Sequence, residues 1–148
     1  MRPTVEDELS VRRTLSRLAR ALDERDAAAV ADVFADDGRY VAAGVAYAGR
    51  DGFAALCARH GDAIVTHASA HPVVEVDGDG ATVRSFAMRM HTHLADMPVR
   101  RTPVITWLGY TTDELRRHGD GWKLVSRVEL PWADDVLSMF ATDDSGAR

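Results

Sequence analysis

Apolar residues near the amino terminus recur at the spacing of one helical face. They are Leu9, Val11, Leu15, Leu18 and Leu22. Thr4, followed by Asp7, resembles a capping box, in which side chains bond the free N–H groups of the first turn. The pattern therefore predicts an amphipathic helix that ends near residues 23–25.

Two shorter helices are expected to follow. Asp26 can cap a helix over residues 27–34, because a carboxylate at this position bonds the first free backbone N–H groups. A third helix is expected over residues 52–59, with Gly61 placed to end it. Between these two helices, residues 35–47 have the pattern of a turn followed by a strand.

From residue 64 onward, apolar and polar residues alternate and β-branched residues become frequent. Gly-rich turns at residues 77–80 and 118–121 separate expected strands near residues 65–76, 81–94, 103–116 and 122–130. Helices followed by a run of antiparallel strands indicate an α+β fold. We expect a single domain over residues 1–148, with a core at about 5–130 and a tail that is partly helical and then frayed.

Composition excludes several classes of function. A net charge of −5 without a basic cluster argues against nucleic acid as a partner. No apolar run approaches the ~20 residues of a membrane span, and no leader segment is evident at the amino terminus. Cys57 is the only cysteine, so no internal disulfide can form, and a reducing cytoplasm is expected.

Three phrases, in this order and at this separation, resemble the SnoaL-like family of the nuclear-transport-factor-2-like superfamily. They are ALDERDAAAVADVFADDGRY, THASAHPVVEVDGDGATVRS and GYTTDELRRHGDGWKL. The resemblance implies a cone-shaped α+β barrel, with helices on the concave face of a strongly bent antiparallel sheet and a deep apolar pocket. Relatives include scytalone dehydratase, ketosteroid isomerase and polyketide cyclases, beside members without catalytic activity. The resemblance also implies a small apolar substrate, no cofactor and a homodimer.

The resemblance also implies catalytic positions. Similar enzymes have an Asp at the end of the first helix facing a His on the strand before the VDGD turn, and these positions match Asp23 and His67. A neutral imidazole can transfer a proton near neutral pH, and an aspartate can orient it or act as the base itself. The alternatives are a helix-capping role for Asp23 and a half-buried structural role for His67. Tyr40 lies on the face of its strand where relatives place a tyrosine that hydrogen-bonds a substrate oxygen; its alternative is a core aromatic residue.

Strand pairing divides the histidines between two faces. If the turn at residues 77–80 is symmetric, Ser69 pairs with Met88 and His67 with Met90, and directly paired residues share a face. His67 would then face an apolar surface of Phe86, Met88 and Met90, with His91 and His93 on the outer face. A single bulge would move each of these side chains to the opposite face of the sheet.

Further pocket residues are expected from their position. They are His71, Phe86, Met88, Met90, Tyr47, Trp107, Tyr110, Phe34 and Trp132, with Arg89 a lesser candidate and plain packing the alternative for the aromatic residues. A metal site is disfavoured, because only His91 and His93 have chelating spacing and no third ligand is evident on their face.

The leading hypothesis is a cofactor-free dehydratase, isomerase or cyclase that acts on a small apolar oxygenated metabolite such as a polyketide or terpenoid intermediate. His67 and Asp23 would move the proton, and Tyr40 would polarise an oxygen. Two positions favour the alternative of a non-catalytic accessory subunit or binding module: Leu22 and Phe86 replace polar pocket groups of the relatives.

Overall fold

A computed structural model describes residues 4–92 and 103–132, which form three helices and six strands. The helices are α1 (Val5–Asp23), α2 (Ala27–Val33) and α3 (Gly49–Ala58). The strands are β1 (Phe34–Ala42), β2 (Val45–Ala48), β3 (Ile64–Asp77), β4 (Gly80–Thr92), β5 (Val104–His118) and β6 (Gly121–Pro131). The expected helical tail and His93 lie outside the described residues.

The first two helices begin where the sequence predicts, and α3 begins at Gly49, three residues before its expected start. The Thr4 hydroxyl accepts a hydrogen bond from the Asp7 amide at 3.0 Å, and the Asp26 carboxylate accepts one from the Ala29 amide at 3.0 Å. Each bond satisfies a backbone donor that the first helical turn leaves free. Asp26 therefore caps α2, which leaves the side chain of Asp23 available for other contacts.

The strands form one sheet in the order β2-β1-β6-β5-β4-β3, and the sheet is not closed. All pairings are antiparallel except β1–β6, which is parallel, so the sheet is mixed. The predicted α+β class is confirmed. The single strand expected before α3 is instead the hairpin of β1 and β2. Ala43 and Gly44 form its turn, and their φ angles of 50° and 77° are the combination that a tight two-residue turn requires.

A bulge in β3 changes the predicted register. Val73 pairs with Arg84, as expected, but the pairing shifts between Ala70 and Val73. His67 therefore pairs with Arg89, and the predicted partner Met90 is wrong. The cause lies at His71, which has a φ of 53°, and at Pro72, which has no N–H to donate to the ladder.

The core lies between the helices and the inner face of the sheet. It includes Val11, Leu18, Val30, Phe34, Phe53, Leu56, Val83 and Leu124, each no more than 3% exposed. Phe34, predicted to line the pocket, instead stacks on Phe53 with ring centroids 4.7 Å apart. Tyr47, another predicted pocket residue, packs against the same core. Among the described helices, none is long and apolar enough to cross a membrane.

Candidate active site

A cavity of about 40 Å³ lies between α1 and the inner face of the sheet. One wall is apolar and the other is charged. Its lining includes Leu15, Ala19, Leu22, Tyr40, His67, Ala87, Arg89, Trp107, Thr111, Arg127 and Glu129. A wider groove shares Leu15, Ala19 and Ser69 with this cavity and runs past His71. The groove therefore adjoins the cavity between α1 and the bulged part of β3.

Asp23 and His67 meet at the end of α1. The Asp23 Oδ1 atom lies 2.8 Å from His67 Nδ1 and accepts a second hydrogen bond, at 2.9 Å, from the His67 backbone amide. A carboxylate oxygen accepts hydrogen bonds, so Nδ1 carries the ring proton and Nε2 carries the lone pair. Asp23 therefore fixes both the tautomer and the orientation of the imidazole.

The second ring nitrogen of His67 has the properties of a base. Nε2 is buried and has no hydrogen-bond partner among the described residues. Burial lowers the pKa of His67 below its ordinary value of 6.5, and Arg89 and Arg127 lower it further, while Asp23 opposes the shift only in part. The imidazole is therefore neutral at pH 7 and can accept a proton at Nε2.

Tyr40 lines the cavity, but its hydroxyl is engaged. The phenol donates a hydrogen bond to Glu129 Oε1. Burial raises the pKa of this phenol far above its ordinary value of 10. The predicted role as a free donor to a substrate oxygen is therefore not what the geometry shows: Tyr40 positions a carboxylate instead.

Glu129 is the centre of a buried ionic network that the sequence did not reveal. Arg89 Nη1 donates to both of its carboxylate oxygens, at 2.8 and 3.0 Å, and Arg59 Nη2 lies 3.3 Å from Oε1. Burial acts to raise the pKa of Glu129, but its hydrogen bond with Tyr40 and the two guanidinium groups outweigh burial and lower it. Glu129 is therefore ionised and holds Arg89 beside the cavity.

Arg127 forms a second buried pair, with Asp113, its direct partner across β5 and β6. Arg127 Nε lies 3.2 Å from Asp113 Oδ1, and its Nη2 donates to Thr111 at 3.2 Å. Burial raises the pKa of Asp113, and Arg127 opposes that shift only in part. The two pairs bring Arg89 and Arg127 to the same wall of the cavity.

Phe86 and Met90, predicted to share a face with His67, lie on the outer face, because the bulge in β3 turns His67 to the inner face and leaves these β4 residues on the other side. Phe86 pairs with Tyr110, and its ring contacts those of Tyr110 and Trp132 at centroid distances of 6.0 Å each. Met90 pairs with Thr66, away from His67. Among the predicted pocket residues, Met88 and Trp107 do line the cavity, and His71 lines the adjoining groove.

His91 also lies on the face opposite to the predicted one. It pairs with Val65 on the inner face, and its ring is 4.8 Å from that of His60. Burial, with Arg59 and Arg89, lowers the pKa of His60 to about 4. Within residues 4–92 and 103–132, no group of three or more His, Cys, Asp or Glu side chains could hold a metal ion.

Comparison with known proteins establishes the family. The model of the SnoaL-like domain matches residues 3–128. The chain belongs to the SnoaL-like domain family. No curated protein matches it at a significant level.

Solved structures similar to this SnoaL-like domain share its fold at low identity. An NTF2-like protein with a cystatin-like fold from Novosphingobium aromaticivorans is 23% identical, with a TM-score of 0.74 and coverage of 93% of this chain and 91% of that one. ActVI-ORFA from Streptomyces coelicolor is 23% identical, with a TM-score of 0.73 and coverage of 84% and 97%. A proposed scytalone dehydratase from N. aromaticivorans is 18% identical, with a TM-score of 0.70 and coverage of 85% and 84%.

One pair of the ionic network of this SnoaL-like domain, Asp113 with Arg127, could have been predicted from the sequence. A symmetric turn at residues 118–121 would place Asp113 opposite Ser126, but the register shifts between Glu114 and Leu115 and brings it opposite Arg127. Opposite charges on paired strands attract each other, so complementarity between Asp113 and Arg127 could have indicated the shifted register. Arg59 reaches Glu129 from the end of α3, across 70 positions of the chain, and no local pattern predicts that contact.

Proposed function

We propose that this SnoaL-like domain is a cofactor-free acid–base catalyst that acts on a small, largely apolar oxygenated metabolite by dehydration, isomerisation or cyclisation. The observation that carries the proposal is the buried Nε2 of His67, which has no hydrogen-bond partner in the described part of the chain, while Asp23 binds the opposite ring nitrogen. A structural histidine uses both ring nitrogens, whereas a general base presents one unprotonated nitrogen to its substrate.

The three reactions share their first step. His67 Nε2 removes a proton from a carbon next to a carbonyl group; the C–H electron pair forms a carbon–carbon double bond, and the carbonyl oxygen becomes an enolate. Asp23 stabilises the imidazolium that forms. Arg89, paired with His67 across the strands, provides positive charge at the same wall for the enolate oxygen. Return of the proton from His67 to another atom of the substrate would give isomerisation. Transfer of that proton to a neighbouring hydroxyl, which leaves as water, would give dehydration, and attack of the enolate carbon on a second carbonyl, whose oxygen takes the proton, would give cyclisation.

A second candidate is a non-catalytic binding module of the same fold. Two observations favour it: Leu22, where relatives carry a tyrosine, lines the cavity, and the Tyr40 hydroxyl binds Glu129. Such a module would bind small molecules without removing a proton from them.

Proton exchange separates the two candidates without knowledge of the substrate. In deuterium oxide, the protein should catalyse exchange of the α-protons of a simple bicyclic ketone such as 2-tetralone, measured by proton NMR. His67→Ala should reduce the protein-catalysed rate by about 100-fold, the typical contribution of a general base. His118→Ala, which removes an exposed histidine at the end of β5, should leave the rate unchanged. A wild-type rate no higher than that of His67→Ala would contradict catalysis.

We further propose a homodimer, with the outer face of the sheet as its interface, and a cytoplasmic location. Tyr110 and Leu130 are paired on this face and are 46% and 50% exposed. Together with Phe86 and Trp132 they form an apolar patch, and patches of this kind mark interaction surfaces.

A further inference from the structure

Positive charge dominates one wall of the cavity. We call this wall the arginine wall and define it as Tyr40, Arg89, Thr111, Arg127 and Glu129, which all line the cavity. The side chains of Arg89 and Arg127 are only 10% and 9% exposed. Burying a guanidinium group is costly unless an opposite charge or several hydrogen bonds compensate for it. The stability of the wall therefore depends on the carboxylates and hydrogen-bond acceptors that surround Arg89 and Arg127.

Carboxylates only partly balance the guanidinium groups. Glu129 is shared between Arg89 and Arg59, and Asp113 is the acid beside Arg127. Among the described residues that line the cavity, Arg89 and Arg127 are cations and Glu129 is a carboxylate, whereas Asp113 and Arg59 lie outside the lining. Asp23 does not line the cavity and binds His67. The wall therefore keeps an excess of positive charge toward the cavity.

Arg127 also has unused hydrogen-bonding capacity. A guanidinium group has five N–H donors, yet within the described residues Arg127 donates one hydrogen bond, to Thr111. Its Nε lies 3.2 Å from Asp113 Oδ1 but forms no hydrogen bond with it, and neither Asp113 oxygen has a hydrogen-bond partner there. Because Arg127 lines the cavity, an acceptor placed there could use N–H groups of the guanidinium that the described residues leave without a partner.

We infer that the arginine wall is a binding subsite for an anionic oxygen, so that the substrate is an organic acid with an apolar body. Its ionised oxygen would accept hydrogen bonds from Arg89 and Arg127, while the carbon next to it lies toward His67. This inference rests on the proposed function for the role of His67, but the subsite itself rests on the charges and hydrogen bonds of the wall. The anionic oxygen can belong to a carboxylate or to an ionised enol or phenol.

Two pairs of probes test the subsite and distinguish these sources. Benzoate is compared with benzamide, its neutral isostere, by calorimetric titration. 4-Nitrophenol is titrated with and without protein, and its phenolate absorbance reports the pKa of the bound phenol. We expect benzoate to bind at least tenfold more tightly than benzamide if the source is a carboxylate. If the source is an enol or phenol, we expect the pKa of bound 4-nitrophenol to fall. Equal binding of benzoate and benzamide, together with an unchanged phenol pKa, would overturn the subsite.

Substitutions of the wall arginines test whether the probes bind at the arginine wall. Arg127→Met combined with Asp113→Asn removes the charge without leaving a buried carboxylate unpaired, and should weaken probe binding at least tenfold. Arg89→Met is a second variant, because Glu129 would keep Arg59 and Tyr40. Arg84→Met removes an exposed arginine of the same strand and should have no effect. Folded Arg89→Met that binds the probes like wild type would overturn the assignment to this wall.

His67→Ala should retain probe binding while losing proton exchange, so failure of the subsite and failure of the catalytic proposal give different results.

Discussion

At the residue scale, Asp23 gives the two ring nitrogens of His67 different roles. One carboxylate oxygen binds both Nδ1 and the backbone amide of His67, so the ring cannot rotate without breaking a hydrogen bond. The second nitrogen is left without a partner in the described part of the protein. Burial keeps the ring neutral by lowering its pKa. The same aspartate that orients the base also makes it a stronger one, because its negative charge stabilises the imidazolium.

Asp23→Asn should separate orientation from charge. The amide oxygen can still accept both hydrogen bonds, but the carboxylate that raises the pKa of His67 is lost. The pKa of His67 should therefore fall below its wild-type value, and the acid limb of the exchange rate against pH should move to lower pH. The maximum rate should also fall, since a weaker base removes a carbon-bound proton more slowly. A pH profile of 2-tetralone exchange measures both effects.

The control for this variant is Asp26→Asn, three positions along the chain. Asparagine caps helices about as well as aspartate, so α2 should remain intact and the exchange profile should match that of wild type. An acid limb that stays in place for Asp23→Asn would show that the aspartate carries no charge in contact with the base.

At the element scale, the bulge in β3 determines which side chains reach the site. On one side of it, Val74 and Val76 contribute to the core; on the other side His67 also faces inward, although its separation from Val74 is an odd number of positions, which in a regular strand would place the two on opposite faces. Pro72 gave a sequence signal for this irregularity, because proline within a strand is confined to edges and bulges. β3 is an edge strand. The helices and strands themselves followed from apolar spacing and turn residues, but the pairing register depends on one backbone angle that periodicity does not encode.

Substitutions at His71 should test the bulge. Its φ of 53° lies in the left-handed region, where a β-branched residue is strained most. His71→Val should lower the free energy of unfolding by about 1–2 kcal/mol, whereas His71→Gly should change it by about 0.5 kcal/mol or less, because relief of strain offsets the entropy that glycine gains on unfolding.

Urea denaturation measures these differences, and Thr66→Val, on an exposed part of the same strand, is the matched control. Valine fits an ordinary extended position, so the control should be as stable as wild type. If His71→Val is equally stable, the left-handed conformation at this position is not required by the fold.

At the scale of the whole molecule, the sheet separates two surfaces of different chemistry. The inner face combines an apolar core with the ionic site, and the outer face carries the ring cluster of Phe86, Tyr110 and Trp132. The sequence predicted the α+β class and the juxtaposition of Asp23 with His67 through its resemblance to the family. It indicated Arg89 only as a lesser pocket candidate and did not predict Arg127 or Glu129, because charge in a strand ordinarily indicates the solvent face.

The outer face leads to a prediction about assembly. Tyr110→Glu places a charge within the apolar patch and should convert a dimer to a monomer, with the mass measured by light scattering after size-exclusion chromatography. Arg17→Glu, on an exposed part of α1, changes charge away from the patch and should leave the mass unchanged. A wild-type protein that is monomeric at all concentrations would contradict the proposed interface.

The most direct test of the central claim is the protonation of the His67 ring in the intact protein. Nitrogen-15 NMR of the histidine side chains, with His67→Ala to assign the signals, distinguishes a protonated from an unprotonated ring nitrogen. We expect, at pH 7, a neutral ring with the proton on Nδ1 and an unprotonated Nε2, and a titration midpoint below the ordinary 6.5. A proton on Nε2, or an imidazolium at pH 7, would contradict the account of His67 as the base of this site.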